Sequence, residues 1–341
     1  MDLAQPATVA QHQRSTMSQP DADTRIRLYK SLLRVRNCEE TLAELYREQE
    51  MRTPTHFGVG QEAVAVGVSE AMAPDDVAYS HHRCHNHYLA KGGSILGLAA
   101  ELYGRLDGCS EGRGGSVHLT ARDQGFIVSS AILGQTVAVA VGSALAFKMD
   151  GESRVAVTFF GEAACEEGVF YESLNYASIH ALPVLFVCEN NLYSTESPLD
   201  VRQPQGTDLC ERTKAFKVES ERIDGNDVVA VHQAAAQSLA LIRDGGGPRF
   251  LECMTYRWRE HVGPNFDHEV GRTYRDKAEL ESWMKKCPVL RAGRGLVEDG
   301  LATDTELETW DGEIKTVIAK AIADARASDW PDPKTLFDNV E

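Results

Sequence analysis

The alternation of apolar and polar residues between positions 154 and 193 predicts a strand, a turn, a helix and a second strand. The runs RVAVTFF (154–160) and LPVLFVCENN (182–191) are short and rich in Val and Phe, which is typical of strands buried on both faces of a parallel sheet. Between them lie the polar turn GEAACEEG and a helical stretch from Val169 to His180. Ligands bind where the strands of such sheets end. This edge is therefore the first candidate for a binding site.

Similar patterns predict further helices and strands along the rest of the chain. Helices are expected from Asp23 onward and over 60–72, 94–103, 134–148, 227–243 and 304–328, and strands over 77–80, before the turn at 224–225, and over 248–256. Residues 258–275 lack periodicity and are expected to form a loop. Alternating helices and strands favour an α/β fold, with helices on both faces of a parallel sheet, in one domain covering residues 23–341. Residues 1–22 are polar and Gln-rich, so we expect a disordered tail.

Composition and charge narrow the possible partners and compartments. The 341 residues are 43% hydrophobic, which is enough for a buried core, and the formal net charge of −16 argues against nucleic acid or an anionic membrane as the main partner. No apolar run approaches the roughly 18 residues needed to span a bilayer, and the first residues do not resemble a signal peptide. Eight scattered Cys without a C-x-x-C pair are typical of reduced thiols. We therefore expect a cytoplasmic protein.

The polar residues at the two strand ends suit a cation. Glu162 follows the first strand, and Asn190 and Asn191 end the second. A right-handed crossover would bring these positions together, and carboxylate and amide oxygens are ligands that Mg²⁺ prefers. A helix starting near Val169 would turn its N-terminus toward the same place and favour a bound diphosphate.

The segment GEAACEEGVFYESLNYASIHALPVLFVCENNLYS also carries a family resemblance. It resembles the thiamine diphosphate motif in the α subunits of 2-oxoacid dehydrogenase E1 components, a family that includes the α chains of pyruvate, branched-chain 2-oxoacid and acetoin dehydrogenases. The resemblance extends from about Ile26 to Asp324. It implies Mg²⁺ ligands at Glu162, Asn191 and the carbonyl of Tyr193. Cofactor contacts are implied at the whole turn, Gly161, Glu162, Ala163 and Ala164.

The chain departs from the family motif at the metal position. The family usually has Asp followed by Gly, whereas this chain has Glu162 followed by Ala163. Glu is one methylene longer, and Mg²⁺ tolerates little deviation from octahedral geometry at roughly 2.0–2.1 Å. We interpret the change as a tolerated variant of the site.

The segment SHHRCHNHYLAKGG (80–93) contains four His within eight residues. It resembles the family sequence Tyr-Arg-x-His-Gly, which implies that Arg83 reaches the diphosphate, that His82 takes the Tyr position and that His85 lines the active-site entrance. The guanidinium fork suits phosphate oxygens. Two alternatives are a solvated loop and a zinc site, although no second group of spaced Cys or His completes a zinc ligand set.

Two further segments resemble parts of the same active site. TPTHFGVGQEA (53–63) is similar to the family sequence His-x-x-x-Gly-Gln-Glu-Ala, which implies that His56 lies near the substrate and that Gln61 and Glu62 stabilise the fold. TYRWREHVGP (255–264) implies that His261 lies over the thiazolium ring and takes part in substrate or acyl handling. An imidazole with an ordinary pKa near 6.5 can exchange protons at physiological pH.

The segment SSAILGQTVAVAVG implies backbone contacts to the diphosphate at Ala131, Leu133 and Gly134. Ordinary packing at the start of a helix is the alternative interpretation of these small and apolar residues.

The resemblance also implies what the chain needs from partners. The family's cofactors are thiamine diphosphate and Mg²⁺, and the Glu that contacts the aminopyrimidine comes from a separate β subunit. No motif of this chain supplies that Glu. We therefore expect an α₂β₂ heterotetramer, with the Gly- and Ala-rich segment GSALA (142–146) available for close helix packing. A lipoyl-bearing E2 acyltransferase would accept the product.

Several functions stay open at this point. Pyruvate is the expected 2-oxoacid, and cleavage of acetoin is the alternative. A non-catalytic paralogue that stabilises a partner is a further alternative, prompted by Glu162 and Ala163. A metal hydrolase built on the His cluster would instead bind zinc in this chain alone.

Overall fold

A computed structural model describes residues 19–338 of the chain. Its strands are β1 (Val77–Ser80), β2 (Phe126–Ser129), β3 (Ala156–Gly161), β4 (Val184–Asn190), β5 (Tyr193–Ser194), β6 (Ser197–Pro198), β7 (Glu219–Asp224) and β8 (Arg249–Met254). Its helices are α1 (Ala22–Tyr46), α2 (Glu62–Ala71), α3 (His85–Ala90), α4 (Ile95–Leu102), α5 (Gln135–Asp150), α6 (Gly168–Ile179), α7 (Leu199–Arg202), α8 (Leu209–Lys214), α9 (Val228–Leu241), α10 (Lys277–Met284), α11 (Pro288–Glu298) and α12 (Asp304–Ala327). The predicted tail lies almost entirely outside the described residues.

A six-stranded parallel sheet forms the centre of the molecule, in the order β2-β1-β3-β4-β8-β7. Strands β3 and β4 are the two strands predicted around the crossover helix, and they lie side by side with Gly161 opposite Glu189. This register brings the turn after β3 level with the end of β4. The expected α/β fold with a parallel sheet is confirmed.

Side chains alternate between the two faces of the sheet. On β3, Val157 and Phe159 pack into a core with α1, α2, α9 and α12, whereas Ala156 and Phe160 pack into a second core with α5 and α6. The period of two follows from the pleat of a strand. Helices therefore cover both faces, which explains why the strands are apolar throughout.

Several short elements were not predicted, among them β2 and α3. Strand β2 has four residues at the sheet edge, and α3 has six residues within the His-rich segment, for which no helix was predicted. Neither is long enough to produce a clear period. Residues 258–275 lack long elements as expected, with a short 3₁₀ turn over Asp267–Val270. The buried pair Arg275 and Asp267, with Nε and Oδ2 2.5 Å apart, holds this loop together.

Within residues 19–338, none of the helices combines the length and the apolar composition that crossing a membrane requires.

Candidate active site

A cavity of about 370 Å³ lies at the carboxyl ends of β1, β3 and β4. The cavity is lined by residues from each of the segments in which site residues were predicted. The predicted site residues that line it are His56, His82, Arg83, Ala131, Leu133, Gly161, Glu162, Ala163, Ala164, Asn191, Tyr193 and His261. The topology explains this convergence, because parallel strands present the loops at their carboxyl ends on one edge of the sheet.

Glu162 is a buried carboxylate beside the end of β4. Its side chain is 2% exposed, and its Oε1 accepts a hydrogen bond from Nη2 of Arg202 at 2.5 Å. Burial raises the pKa of Glu162, whereas Arg202 and the backbone amide of Asn191 lower it. A carboxylate in this environment requires a positive charge next to it.

Asn191 and Tyr193 form the turn that follows β4. The Asn191 side chain accepts a hydrogen bond from the Tyr193 amide through Oδ1 at 3.1 Å and donates through Nδ2 to Oε1 of Gln61 at 3.2 Å. The Tyr193 hydroxyl donates to Glu279 at 2.6 Å. Asn190, in contrast, donates to the buried Glu252, so Asn191 is the amide that faces the cavity.

These residues fit a divalent cation that carries a diphosphate. Carboxylate and amide oxygens are hard ligands. Gly161 has no heavy atom within 4 Å of where a Cβ would project, which leaves room beside Glu162. Helix α6 begins at Gly168 without a side-chain cap on its first amides, and such amides favour an anion.

Three histidines form a cluster in the same cavity. The ring centroids of His56 and His82 are 4.6 Å apart, those of His56 and His261 are 5.1 Å apart, and those of His82 and His261 are 5.5 Å apart. Burial, followed by the charge of Arg83, lowers the pKa of His56 to about 2 and that of His261 to about 3. Burial also holds the pKa of His82 well below its ordinary value. All three imidazoles are therefore neutral at physiological pH.

Arg83 connects the segments that carry these histidines. Its Nη1 donates to the carbonyl of Phe57 at 2.7 Å, and its Nη2 donates to the carbonyl of His261 at 3.2 Å. Burial lowers the pKa of Arg83 to about 9, so the side chain keeps its charge at neutral pH. Arg83 both supplies positive charge to the cavity and fixes the position of the His261 loop.

Comparison with known proteins places this arrangement in a family. The model of the dehydrogenase E1 component family matches residues 30–334. The chain belongs to the dehydrogenase E1 component family. It is 33% identical over 321 residues to the α subunit of acetoin:2,6-dichlorophenolindophenol oxidoreductase from Cupriavidus necator, covering 94% of this chain and 95% of that one.

Pyruvate dehydrogenases are similar over comparable lengths. The pyruvate dehydrogenase E1 component subunit α of Rhizobium meliloti is 32% identical over 326 residues, covering 95% of this chain and 92% of that one. The mitochondrial subunit of Solanum tuberosum is 35% identical over 315 residues, covering 92% and 78%. The family is thiamine diphosphate-dependent in general and its members are oxidoreductases, so this E1-type chain is an oxidoreductase subunit.

His85 does not lie where the resemblance implied. The residue is fully buried, its Nδ1 is 2.6 Å from Oε1 of Glu39 and its Nε2 is 2.9 Å from Oγ of Ser116. It does not line the cavity. Helix α3 turns the ring toward α1, so both nitrogens are used within the protein. The expectation that His85 lines the entrance is corrected to a structural role.

A second group of residues beside the cavity was not recognised from the sequence. His81 Nε2 lies 2.9 Å from Oε2 of Glu189, and both residues line the cavity. Although burial opposes ionisation, His87 and His81 lower the pKa of Glu189 to about 2. His87 stacks on Phe159 inside the protein, with ring centroids 4.1 Å apart. In the sequence, only the position of Glu189 directly before the Asn pair in CENN (188–191) could have indicated that it lies at the site.

Gln61 and Arg202 also belong to the site. Gln61 was expected only to stabilise the fold, but it lines the cavity and accepts the hydrogen bond from Asn191. Glu62 does have the expected role, since it is buried against Arg36 with Oε1 and Nε 2.6 Å apart. Arg202 had no recognisable motif around it.

Proposed function

We propose that this chain is the α subunit of a thiamine diphosphate-dependent E1 enzyme that oxidatively decarboxylates a 2-oxoacid, pyruvate being the expected one. The acyl group would pass to the lipoyl group of an E2 partner. The observation that carries the proposal is the convergence of oxygen donors, Arg83 and three neutral imidazoles on one cavity at the carboxyl edge of the sheet. The family match over most of the chain supports it.

The chain's own residues would hold the cofactor at its diphosphate end. Glu162 and Asn191 supply oxygens for Mg²⁺, with the backbone carbonyl of Tyr193 as the third protein ligand. Arg83 supplies positive charge to the diphosphate, and the small residues Ala131 and Ala163 leave space for it. When bound, thiamine diphosphate supplies the nucleophilic carbon and the electron sink of the reaction.

The neutral imidazoles would handle protons and the substrate carbonyl. A neutral imidazole can donate from one nitrogen and accept at the other. His56 and His261 both line the cavity, with their rings in edge-to-face contact. His81, anchored by Glu189, keeps the segment before His82 and Arg83 in place, since its Nδ1 accepts a hydrogen bond from the Arg83 amide at 3.1 Å.

A β subunit would complete the site and cover an exposed apolar surface beside it. Ile132 is 64% exposed, Leu133 45% and Val139 42%, at the start of α5 next to the cavity. No Asp, Glu, Lys or Arg occurs between Ala131 and Phe147. Apolar surface of this kind marks interaction sites, which supports the proposed α₂β₂ assembly. All eight cysteines are free, which supports a reducing compartment such as the cytoplasm.

Acetoin is the second candidate substrate. The relative from Cupriavidus necator is named for acetoin and matches this chain over nearly its whole length at 33% identity. The match covers 94% of this chain, against 95% for the Rhizobium meliloti pyruvate dehydrogenase subunit, so acetoin has to be tested beside pyruvate.

The decisive experiment is co-expression with a β-type chain and an assay of thiamine diphosphate- and Mg²⁺-dependent reduction of an artificial electron acceptor. Pyruvate, branched 2-oxoacids and acetoin are offered in parallel. We expect turnover with one of them, lost in Glu162→Ala and His261→Ala and kept in the control His118→Ala, whose ring is exposed. The α chain turning over substrate without a β chain would contradict the proposed division of the site. Failure to bind cofactor with any β chain would favour a non-catalytic paralogue.

A further inference from the structure

We propose that His56, His82 and His261 form a second metal site, for a divalent transition-metal ion such as Zn²⁺, in the part of the cavity assigned to the substrate. Each residue offers one ring nitrogen, and the three nitrogens all lie within 4.8 Å of one another. The site is separate in chemistry from the oxygen ligands at Glu162 and Asn191. It does not depend on the proposed E1 function.

The three rings come from three different parts of the chain. His56 lies in the segment before α2, His82 follows β1 and His261 follows β8. Zinc binds imidazole nitrogen at roughly 2.0–2.1 Å, which places the nitrogens of a tetrahedral site about 3.3 Å apart. The ring nitrogens would therefore have to move about an ångström closer to one another, which rotation of the side chains within the cavity allows.

The nitrogens of the cluster are available for a ligand. Nδ1 of His56 and both ring nitrogens of His82 are buried without a hydrogen-bond partner in the described part of the chain. A buried polar atom without a partner is unfavourable for folding, so such atoms favour a ligand that pairs with them. Since the rings are neutral, each has one nitrogen lone pair, and a metal ion would use those that the protein leaves unpaired on His56 and His82.

The ligand type selects the metal. Imidazole suits zinc, copper and nickel, whereas Mg²⁺ prefers oxygen. Three His with an open fourth position facing a cavity resemble the ligand sets of catalytic rather than structural zinc sites. A bound ion would occupy the lone pairs of His56 and His261, so it would inhibit any reaction that needs them.

Arg83 sets a limit on the affinity. Its Nη2 lies 3.5 Å from Nδ1 of His261, and its charge opposes a second cation. Binding through Nε2 of His261 would place the proton of this neutral ring on Nδ1, where it faces Arg83, so the ion would bind more weakly than it would in a closed structural zinc site.

In the other two clusters of potential ligands among the described residues, the side chains are already paired with one another or with a neighbouring Arg. In the first, Glu189 is paired with His81 at 2.9 Å and lies 3.3 Å from Nε2 of His87. In the second, of Asp208, Cys210 and Glu252, both carboxylates are paired with Arg222. The first cluster is a hydrogen-bonded group of His and Glu side chains that positions the cavity wall, and the second is a salt bridge.

The test uses Co²⁺ as a spectroscopic probe on the full-length chain, without thiamine diphosphate. Tetrahedral Co²⁺ with nitrogen ligands absorbs in the visible range, so binding is read without any assay of turnover. We expect one Co²⁺ per chain, displaced by Zn²⁺ but not by excess Mg²⁺. His82→Asn and His56→Asn should each weaken binding at least about tenfold. His118→Asn is the matched control, because it removes an exposed imidazole outside the cluster.

Three results would overturn the proposal: no Co²⁺ bound by the unaltered chain, equal displacement by Mg²⁺, or unaltered affinity in the cluster variants. Two variants are used so that poor folding of one, checked by circular dichroism, still leaves a decisive comparison. If the E1 assay fails while Co²⁺ binds as expected, only the proposed E1 function is affected.

Discussion

At the scale of single residues, the Glu162 carboxylate already has a charged partner inside the protein. Arg202 pairs with both Glu162 and Glu166, and its side chain is only 12% exposed. The guanidinium therefore provides the positive charge that a metal ion would otherwise provide. In the proposed function, binding of Mg²⁺ would have to compete with this ion pair.

Replacing Arg202 should increase the affinity for the metal ion, because the Arg202 side chain and the ion would compete for the Glu162 carboxylate. In Arg202→Gln the α–β complex should bind Mg²⁺ with thiamine diphosphate roughly tenfold more tightly, about 1.4 kcal/mol. The metal-free protein should unfold at a lower temperature, because a buried carboxylate is left without a cation. Calorimetric titration and thermal unfolding measure the two effects. Arg212→Gln is the control, since the hydrogen bonds of Arg212 go to Tyr171 and Thr207; equal or weaker Mg²⁺ binding in Arg202→Gln would exclude competition.

The three cavity histidines should make stability depend on pH. Their pKa values in the folded protein are lowered, to about 2 for His56 and about 3 for His261, so the unfolded chain binds more protons below about pH 6.5. The contribution of these histidines to the free energy of unfolding is complete above that pH. It decreases as the pH falls toward 3, by at most about 1.4 kcal/mol per pH unit for each residue. Unfolding measured between about pH 8 and about pH 5.5 should show a smaller pH dependence in His82→Asn than in His118→Asn. Equal slopes would mean that His82 is protonated alike in both states.

At the scale of elements, the Gly-rich loop between α4 and β2 is organised by one carboxylate. Glu101 is 1% exposed and accepts hydrogen bonds from the amides of Ser110, Gly112, Gly114 and Gly115 at 2.6–3.0 Å. This loop leads into Val117, which lines the cavity. A loop without regular structure thereby becomes a fixed part of the cavity wall.

Weakening this carboxylate should loosen the loop. Glu101→Gln replaces one acceptor oxygen by a donor that faces backbone amides, so the free energy of unfolding should fall by about 2 kcal/mol or more. Chemical denaturation measures the loss, and hydrogen exchange should show faster exchange over 110–116. Glu111 lies in the same loop but is exposed, so Glu111→Gln should change neither the free energy of unfolding nor the hydrogen exchange over 110–116. Unchanged exchange in Glu101→Gln would show that the loop holds its shape by other contacts.

The elements also show where the sequence was informative. The strand–helix–strand unit around Glu162 was predicted because its apolar runs are continuous and rich in Val and Phe and its turns are polar. Strand β2 and helix α3 were missed, because four and six residues are too few to show a period. His85 was misplaced for a related reason: the resemblance gave its position in the chain, whereas the rotation of α3 decides which way its ring points. Arg202 was missed because its partner is 40 residues away.

At the scale of the whole molecule, an acidic protein carries one uncharged helical surface. The formal net charge is −16, yet the exposed side of α5 presents Val139, Gly142 and Ala146 without a charged neighbour until Lys148. Nothing lies within 4 Å of where a Cβ on Gly142 would project. A glycine within a helix costs about 1 kcal/mol relative to Ala. The fold of this chain therefore gains nothing from Gly142. A partner helix, in contrast, could pack closely against α5 because Gly142 has no side chain.

A larger side chain at position 142 should separate folding from assembly. Gly142→Leu should leave the unfolding temperature of the α chain unchanged or higher, because a helix former replaces glycine in open space. It should prevent formation of the α₂β₂ complex, measured by size-exclusion chromatography with light scattering. Gly312→Leu is the matched control: Gly312 is also exposed within a long helix and also has no heavy atom within 4 Å of its Cβ position. If Gly142→Leu assembled as well as Gly312→Leu, the exposed side of α5 would not be the surface that the β subunit covers, and Ile132 and Leu133 at the cavity edge would become the next positions to test.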